Sequence, residues 1–140
     1  MTIASVTTDI NIGPFKIPSN AQNMIMNFHA NKNNLSVEMV IPEPIMSYEL
    51  LTTRWLHKEY KFSKIILCSI HQLPQKKEAI DDILINMQNV EFHFAIEGLI
   101  GNKNNFLLKC INEARIFMNA DQIDSQKNNW LDLYNLYKTG

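Results

Sequence analysis

The stretch Lys64-Ile-Ile-Leu-Cys-Ser-Ile-His-Gln-Leu-Pro74 decides the fold class of this 140-residue chain. It opens with an unbroken apolar run and closes on small and polar residues before a proline. A short isoleucine-rich run between breakers is typical of a strand buried on both faces, at the centre of a parallel sheet covered by helices. Ligand-binding residues of such sheets follow the carboxyl ends of the strands. Ser69, His71 and Gln72 are therefore the first candidates for a site.

The pattern around this stretch predicts strands alternating with helices. β-Branched and aromatic residues predict strands at residues 2–12, 35–41, 65–69 and 90–96. Such alternation implies a parallel sheet with right-handed crossovers. We expect a single three-layer α/β domain with a four-stranded parallel sheet, in the order 2-1-3-4, flanked by helices.

Helical spacing of apolar residues predicts which face each helix buries. Ser19 or Asn20 is expected to cap the first helix, and Ser47 to start the second, after Pro42 and Pro44 have stopped the second strand. The predicted buried stripes of the first three helices are Ala21, Met24, Ile25 and Phe28; Leu50, Leu51, Trp55 and Leu56; and Ile80, Ile83, Leu84 and Met87.

The chain after the last strand is predicted to form a long helix over residues 103–119, a polar loop over 121–129 and a short helix over 130–137. The short helix is apolar nearly all round, so it is expected to dock on its own domain or on a second copy. We therefore expect the chain to consist of a domain at 1–120 and a docking segment at 121–140. The expected assembly is a homodimer or a higher homo-oligomer.

Net charge, apolar stretches and cysteine positions limit the classes of protein to which this chain could belong. The net charge of −1 does not predict a nucleic-acid binder. No apolar stretch has the roughly 18 residues that a membrane span needs, and no secretory signal opens the sequence. Cys68 and Cys110 fall inside apolar runs, as buried free thiols do in a reducing compartment. We expect a cytoplasmic protein without a metal ion or cofactor.

Four loops follow the predicted strands and should meet at one edge of the sheet, at 13–22, 42–47, 69–74 and 97–101. They hold the candidate site residues, namely Lys16, Ser19, Asn20, Gln22, Asn23, Glu43, Ser69, His71, Gln72 and Glu97.

The roles of these residues are open at the level of sequence. His71 is a candidate general base, or an exposed loop histidine. Glu97 could pair with His71, bind a hydroxylated ligand, or cap the following helix. Glu43 is expected in an exposed loop between two prolines. Neither Ser19 nor Ser69 lies in a nucleophile elbow, and no Gly-rich phosphate motif is present.

Three pieces of sequence resemble the bacterial sporadic carbohydrate cluster proteins. They are Lys16-Ile-Pro-x-x-Ala-Gln-Asn23, Ser69-x-x-Gln-Leu-Pro74 and Phe92-His-Phe-Ala-Ile-Glu-Gly-Leu99. Members of that family are encoded among enzymes of surface polysaccharide and lipopolysaccharide synthesis. The resemblance implies that setting and carries no assigned reaction.

The order of elements also looks like the catalytic domain of serine recombinases, which implies a resolvase-like or flavodoxin-like fold. Gln22 fits the glutamine of the family's first helix, and the serine position falls near Pro18 or Ser19. The recombinase arginines are missing, since Arg54 and Arg115 are the two arginines of the sequence. Phosphoryl transfer on DNA needs several cations, so strand exchange is rejected.

Two hypotheses of function follow. The first is an enzyme acting on, or a protein binding, a sugar or nucleotide-sugar, with His71 and Glu97 as acid/base residues. The second is a non-catalytic accessory subunit that binds another enzyme of the pathway.

Overall fold

The computed structural model describes residues 2–9, 12, 16–43 and 49–116. Its strands are β1 (Thr2–Thr8), β2 (Met39–Glu43), β3 (Phe62–Leu67), β4 (Glu91–Phe94) and β5 (Leu99–Gly101). Its helices are α1 (Ser19–Lys32), α2 (Leu51–Tyr60), α3 (Lys77–Asn86) and α4, helical over residues 104–116. A single 3-10 turn, Ile70–Gln72, follows β3.

The sheet has the order β2-β1-β3-β4-β5. β1 pairs in parallel with β2 and β3, and β3 pairs in parallel with β4. The predicted order 2-1-3-4 and the parallel centre are confirmed. The expected count of four strands is wrong, because β5 adds an antiparallel edge strand to β4.

The fifth strand arises from a hairpin within the segment predicted to be one turn. Gly98 adopts a positive φ of 68°, and its N–H donates to the Phe94 carbonyl at 2.8 Å. A conformation of this kind suits glycine, which has no Cβ to clash. The three residues of β5 are too few to show an alternating pattern, so the sequence did not predict it.

Element boundaries differ from the prediction at several places. β1 ends at Thr8 rather than at 12, and β2 covers Met39–Glu43 rather than 35–41. Pro42 does not stop β2, because β2 is an edge strand that pairs with β1 alone and can lack a donor on its outer side.

The helix boundaries also differ. α2 begins at Leu51, after Leu50 in a left-handed conformation, and not near Ser47. α1 follows Pro18 without a side-chain cap from Ser19 or Asn20. Several predictions lie outside the described residues: the end of the long helix at 117–119, the loop 121–129, the helix 130–137 and thus the division of the chain at residue 120.

Two apolar cores lie on the two faces of the sheet. On one face, Met26 and Ala30 of α1 pack with Ile12, Ile66 and Cys68. On the other face, residues of α3 and α4 and of the start of α2 pack against β1, β3 and β4. The predicted α3 stripe is correct, since Ile80, Ile83 and Met87 are buried and Leu84 packs at the edge of the core.

The predicted stripes of α1 and α2 are partly wrong. Met24 and Phe28 are each 73% exposed, and Trp55 is 66% exposed. α1 instead buries Gln22, Met26, His29 and Ala30, because two of its polar side chains have hydrogen-bond partners on the sheet. No helix among the described residues combines the length and apolarity needed to cross a bilayer.

Candidate functional site

The carboxyl ends of β1 and β3 lie side by side at the centre of the sheet. α1, which follows β1, packs on one face, and α3, which follows β3, packs on the other. The carboxyl ends of β1 and β3 therefore form the switch point of the sheet, where α/β proteins commonly bind ligands. Thr7 and Thr8 end β1, Ser69 follows β3 by two residues, and all three are buried there.

Gln22 closes the end of β1. Its side chain is fully buried, with Oε1 accepting from the Thr8 N–H at 2.9 Å and Nε2 donating to the carbonyls of Thr8 and Ile17 at 2.7 Å each. These bonds pair backbone polar groups of Thr8 and Ile17 with a buried amide. The predicted ligand role of Gln22 therefore competes with a structural role that occupies its amide.

Gln72 holds the turn after β3. Its Oε1 accepts from the N–H groups of Cys68 and Ser69 at 2.7 and 3.3 Å, and its Nε2 donates to the Val6 carbonyl at 3.2 Å. Together with Ser69 it forms a capping box around the 3-10 turn. Like Gln22, it ties the ends of central strands together.

Ser69 and Glu97 form the polar contact at this edge. The Ser69 hydroxyl donates to Glu97 Oε2 at 2.8 Å, and the Ile70 N–H donates to Glu97 Oε1 at 2.7 Å. The backbone N–H of His71 donates to Ser69 Oγ at 3.2 Å, and this bond involves the backbone of His71 and not its imidazole. Glu97 and His71 are both half-buried.

Glu97 reaches this place because the pairing of β3 and β4 continues beyond Phe94. The N–H groups of Ala95 and Ile96 donate to the carbonyls of Leu67 and Cys68 at 2.9 and 2.7 Å. A carboxylate offers about four lone-pair positions. The bonds from the Ser69 hydroxyl and the Ile70 N–H use two of those of Glu97. The rest can accept hydrogen bonds from a ligand.

Glu43 does not lie in an exposed loop, as the sequence predicted. It is the last residue of β2, is 1% exposed, and accepts from the N–H groups of Thr52 and Thr53 at 3.2 and 2.7 Å. The Thr53 hydroxyl adds a bond of 2.8 Å. Glu43 therefore satisfies the free N–H groups at the start of α2, where a negative charge is favourable.

The remaining predicted site residues lie before and within the first turns of α1. Lys16, Ser19 and Asn20 are exposed and Asn23 is half-buried. Ser19 Oγ lies 3.5 Å from Asp9 Oδ1, and Asn20 Oδ1 accepts from the Ala21 N–H at 2.9 Å. They form a polar rim, and nothing in the geometry assigns them a ligand.

The two thiols lie beside this edge in apolar surroundings. Burial, with a further contribution from the negative charge of Glu97, raises the pKa of Cys68 to about 12. Burial likewise raises the pKa of Cys110 to about 11. Both are free, buried and protonated at neutral pH, so neither serves as a nucleophile. Among the described residues, no group of three or more His, Cys, Asp or Glu side chains is placed to hold a metal ion.

A second polar array lies on the α1 face, where the sequence analysis placed no site. His29 Nε2 is 2.9 Å from His93 Nδ1, and His93 Nε2 is 2.6 Å from Glu91 Oε1. Lys64 Nζ donates to the same Glu91 oxygen at 2.7 Å. The available signal was the spacing Glu91-x-His93, which puts both side chains on one face of a strand; nothing in the sequence indicated that His29 would meet them.

Solved structures that share this fold include the following two. The N-terminal catalytic domain of TP901-1 integrase is 10% identical with a TM-score of 0.57, and the match covers 90% of this chain and 98% of that one. A resolvase family site-specific recombinase from Streptococcus pneumoniae is 12% identical with a TM-score of 0.52, covering 94% and 97%.

At these identities the likeness shows the fold alone, and it confirms the predicted resolvase-like α/β architecture. No protein-family model and no curated protein matches the sequence. Nothing in these comparisons bears on the carbohydrate cluster proteins.

Proposed function

We propose that this protein acts in the synthesis of bacterial surface carbohydrate, and that it acts on or binds a sugar or nucleotide-sugar at the carboxyl edge of the sheet. The observation that carries the proposal is the Ser69–Glu97 pair at the switch point, to which the backbone N–H of His71 also donates. A half-buried carboxylate with unused lone pairs suits the adjacent hydroxyls of a sugar. In the catalytic form of the proposal, His71 and Glu97 are the acid/base residues. The resemblance in residues 92–99 supports the carbohydrate setting.

The proposal excludes DNA strand exchange, although solved structures of the same fold are named as an integrase and as a site-specific recombinase. Arg54 is held by Asp82 at 2.9 Å and by Glu49 at 3.9 Å, away from the edge. Arg115 contacts Gln75. Neither guanidinium accompanies Ser69 and Glu97, so the charge stabilisation that phosphoryl transfer requires is not supported.

The test is isothermal titration of the full chain with a panel of UDP-, GDP-, dTDP- and CMP-sugars and the matching free sugars. Glu97→Gln and Ser69→Ala should each weaken binding by about tenfold or more, because a hydrogen bond to a charged group contributes about 1.5–3 kcal/mol. Glu59→Gln, on the exposed surface of α2, is the matched control and should bind normally. Binding that survives both edge substitutions, or failure of the whole panel to bind, contradicts the proposal.

We keep the accessory-subunit hypothesis because many polar side chains at the carboxyl edge of the sheet stabilise the fold and are not left for a ligand. Three of the predicted site residues use their side-chain polar atoms to hydrogen-bond backbone groups, namely Gln22, Gln72 and Glu43. Large exposed apolar side chains such as Phe28 and Trp55 also suit a partner surface. Co-purification with a glycosyltransferase or sugar-modifying enzyme encoded nearby, lost on truncation after Gln126, is the expected result. A lone, active monomer contradicts it.

A further inference from the structure

A groove of about 440 Å³ lies between α1 and the β4–β5 hairpin. Its walls are mainly apolar, from Met24, Ile25, Phe28 and Ile100. Two polar residues, Lys32 and Asn33, line it at the end nearest the carboxyl terminus of α1. An apolar groove of this kind can hold the apolar face of an amphipathic helix.

The groove exists because the α1 face of the sheet carries fewer helices than the other face. The core on the other face includes residues of α2, α3 and α4. Among the described helices, α1 alone contributes to the core on its own face, and it lies mainly over β1 and β3. Both faces of a largely parallel sheet are normally covered. Beside α1, this face therefore has room for one more helix over β4 and β5.

The apolar side chains around the groove are largely exposed. Met24 and Phe28 are each 73% exposed, and Ile100 is 45% exposed. Ile100 is the cross-strand partner of His93, which contacts His29 of α1, so Ile100 also points to the α1 face. Single exposed apolar side chains are common, but a group of them around one groove indicates a surface that another segment covers.

A matching sequence pattern occurs at residues 130–137, which lie outside the described residues. Apolar and aromatic side chains recur there at the spacing of one helical face, at Trp130, Leu133, Tyr134 and Tyr137. The polar residues Asp132 and Asn135 fall on the opposite side of such a helix. Tryptophan and tyrosine suit a groove that is apolar with polar groups at one end, because the N–H or O–H of a buried ring needs a hydrogen-bond partner.

The chain itself can bring this segment to the groove. α4 packs on the opposite face, and Arg115 near its described end contacts Gln75, in the segment after β3. Residues 117–129 follow, and a chain of that length extends up to about 43 Å. Passing the edge of the sheet from one helix layer to the other takes roughly 20–24 Å, or two helix diameters. A tethered segment also has an effective concentration on the order of millimolar, far above that of a second copy in dilute solution.

We propose that residues 130–137 bind as a short helix in the groove of their own chain. The aromatic face of this helix packs against the α1 side chains Met24 and Phe28 and against the hairpin side chain Ile100. The polar end of the groove supplies hydrogen-bond partners for the ring N–H and O–H groups. The segment thereby completes the helix layer that α1 begins on this face of the sheet.

The test uses the fluorescence of Trp130 in the full chain. Trp55→Phe leaves Trp130 as the single tryptophan, and it changes a side chain that is 66% exposed. We expect the folded chain to show blue-shifted emission and a severalfold smaller acrylamide quenching constant than the same chain unfolded in urea. Both should stay constant over a dilution series, since the groove and the segment belong to one chain.

Three substitutions in the Trp55→Phe chain test the walls of the groove. Phe28→Ser and Met24→Ser on α1 and Ile100→Thr on β5 should each shift the emission towards that of the unfolded chain and increase quenching severalfold. Ile85→Ser changes a 67% exposed side chain on α3 outside the groove, and as the matched control it should change neither. Far-UV circular dichroism checks that every variant is folded.

Four outcomes overturn the proposal. An exposed Trp130 in the folded chain would show that the segment does not bind the domain. Protection that is lost on dilution would place the segment on a second copy. Insensitivity of Trp130 to Phe28→Ser, or a response to Ile85→Ser equal to the response to Phe28→Ser, would place it at another surface.

Discussion

Single polar side chains decide how α1 sits on the sheet. Gln22 and His29 are buried on the side of α1 that faces the sheet, and each bonds to a strand residue or its end. Burying an amide or imidazole is costly unless it is hydrogen-bonded. Because these two residues have partners, the helix turns its polar residues inward and leaves Met24 and Phe28 in solvent.

The burial of His29 predicts how the free energy of unfolding depends on pH. Its pKa in the folded chain is lowered from 6.5, chiefly because burial disfavours the charged ring, and further by His93 and Lys32. Below pH 6.5 the unfolded chain therefore binds more protons than the folded chain. This contribution to the free energy of unfolding is complete above that pH and is lost as pH falls towards the folded pKa.

The measurement is urea unfolding at steps between about pH 5 and 8. Stability should fall on the acid side, and His29→Phe should show a shallower fall, although it is less stable at neutral pH. Some slope should remain, because burial also lowers the pKa of His57, whose Nδ1 accepts from the Phe62 N–H at 3.0 Å. An unchanged slope in His29→Phe would contradict this assignment.

At the scale of elements, the start of α2 depends on the end of β2. Leu50, the residue before the helix, has a φ of 50° and provides no side-chain cap. The Glu43 carboxylate takes over that role from another strand. A tertiary contact thus determines where the helix begins, and the local sequence around Ser47 does not.

Removing this charge should destabilise the protein. Glu43→Gln is expected to lower the free energy of unfolding by about 1–2 kcal/mol, the range typical of a lost helix cap. Glu38→Gln, on an exposed residue before β2, should change stability by less than about 0.5 kcal/mol. Urea denaturation of both variants measures the difference. Equal stability of the two would show that Glu43 does not cap α2 and would return it to the list of ligand contacts.

At the scale of the whole molecule, self-association remains a prediction. Leu108 and Ile116 on α4 are 38% and 66% exposed, and apolar side chains on a late helix often mark an interface. Light scattering over a dilution series should show a dimer or larger assembly, and Leu108→Glu with Ile116→Glu should shift it towards monomer. A monomer at every concentration would exclude assembly through α4 and the chain that follows it.

The run at Lys64–Ser69 and the alternation around it were enough to determine the architecture. Strands buried on both faces must be apolar throughout and helices must show an apolar face, and both patterns are local. The parallel sheet, its central order and the α3 core stripe could therefore be predicted. The same reasoning correctly predicted that β1 and β3 lie side by side at the centre of the sheet.

The hydrogen-bond partners of the polar side chains were decided by the tertiary structure alone. Nothing local shows that Gln22 would close β1, that Glu43 would cap a helix from another strand, or that His29 would lie 2.9 Å from His93 across 64 residues. A polar side chain has the same sequence signature whether it binds a ligand or a backbone group. What distinguishes the two is the set of donors and acceptors that folding places around it, and those come from distant segments of the chain.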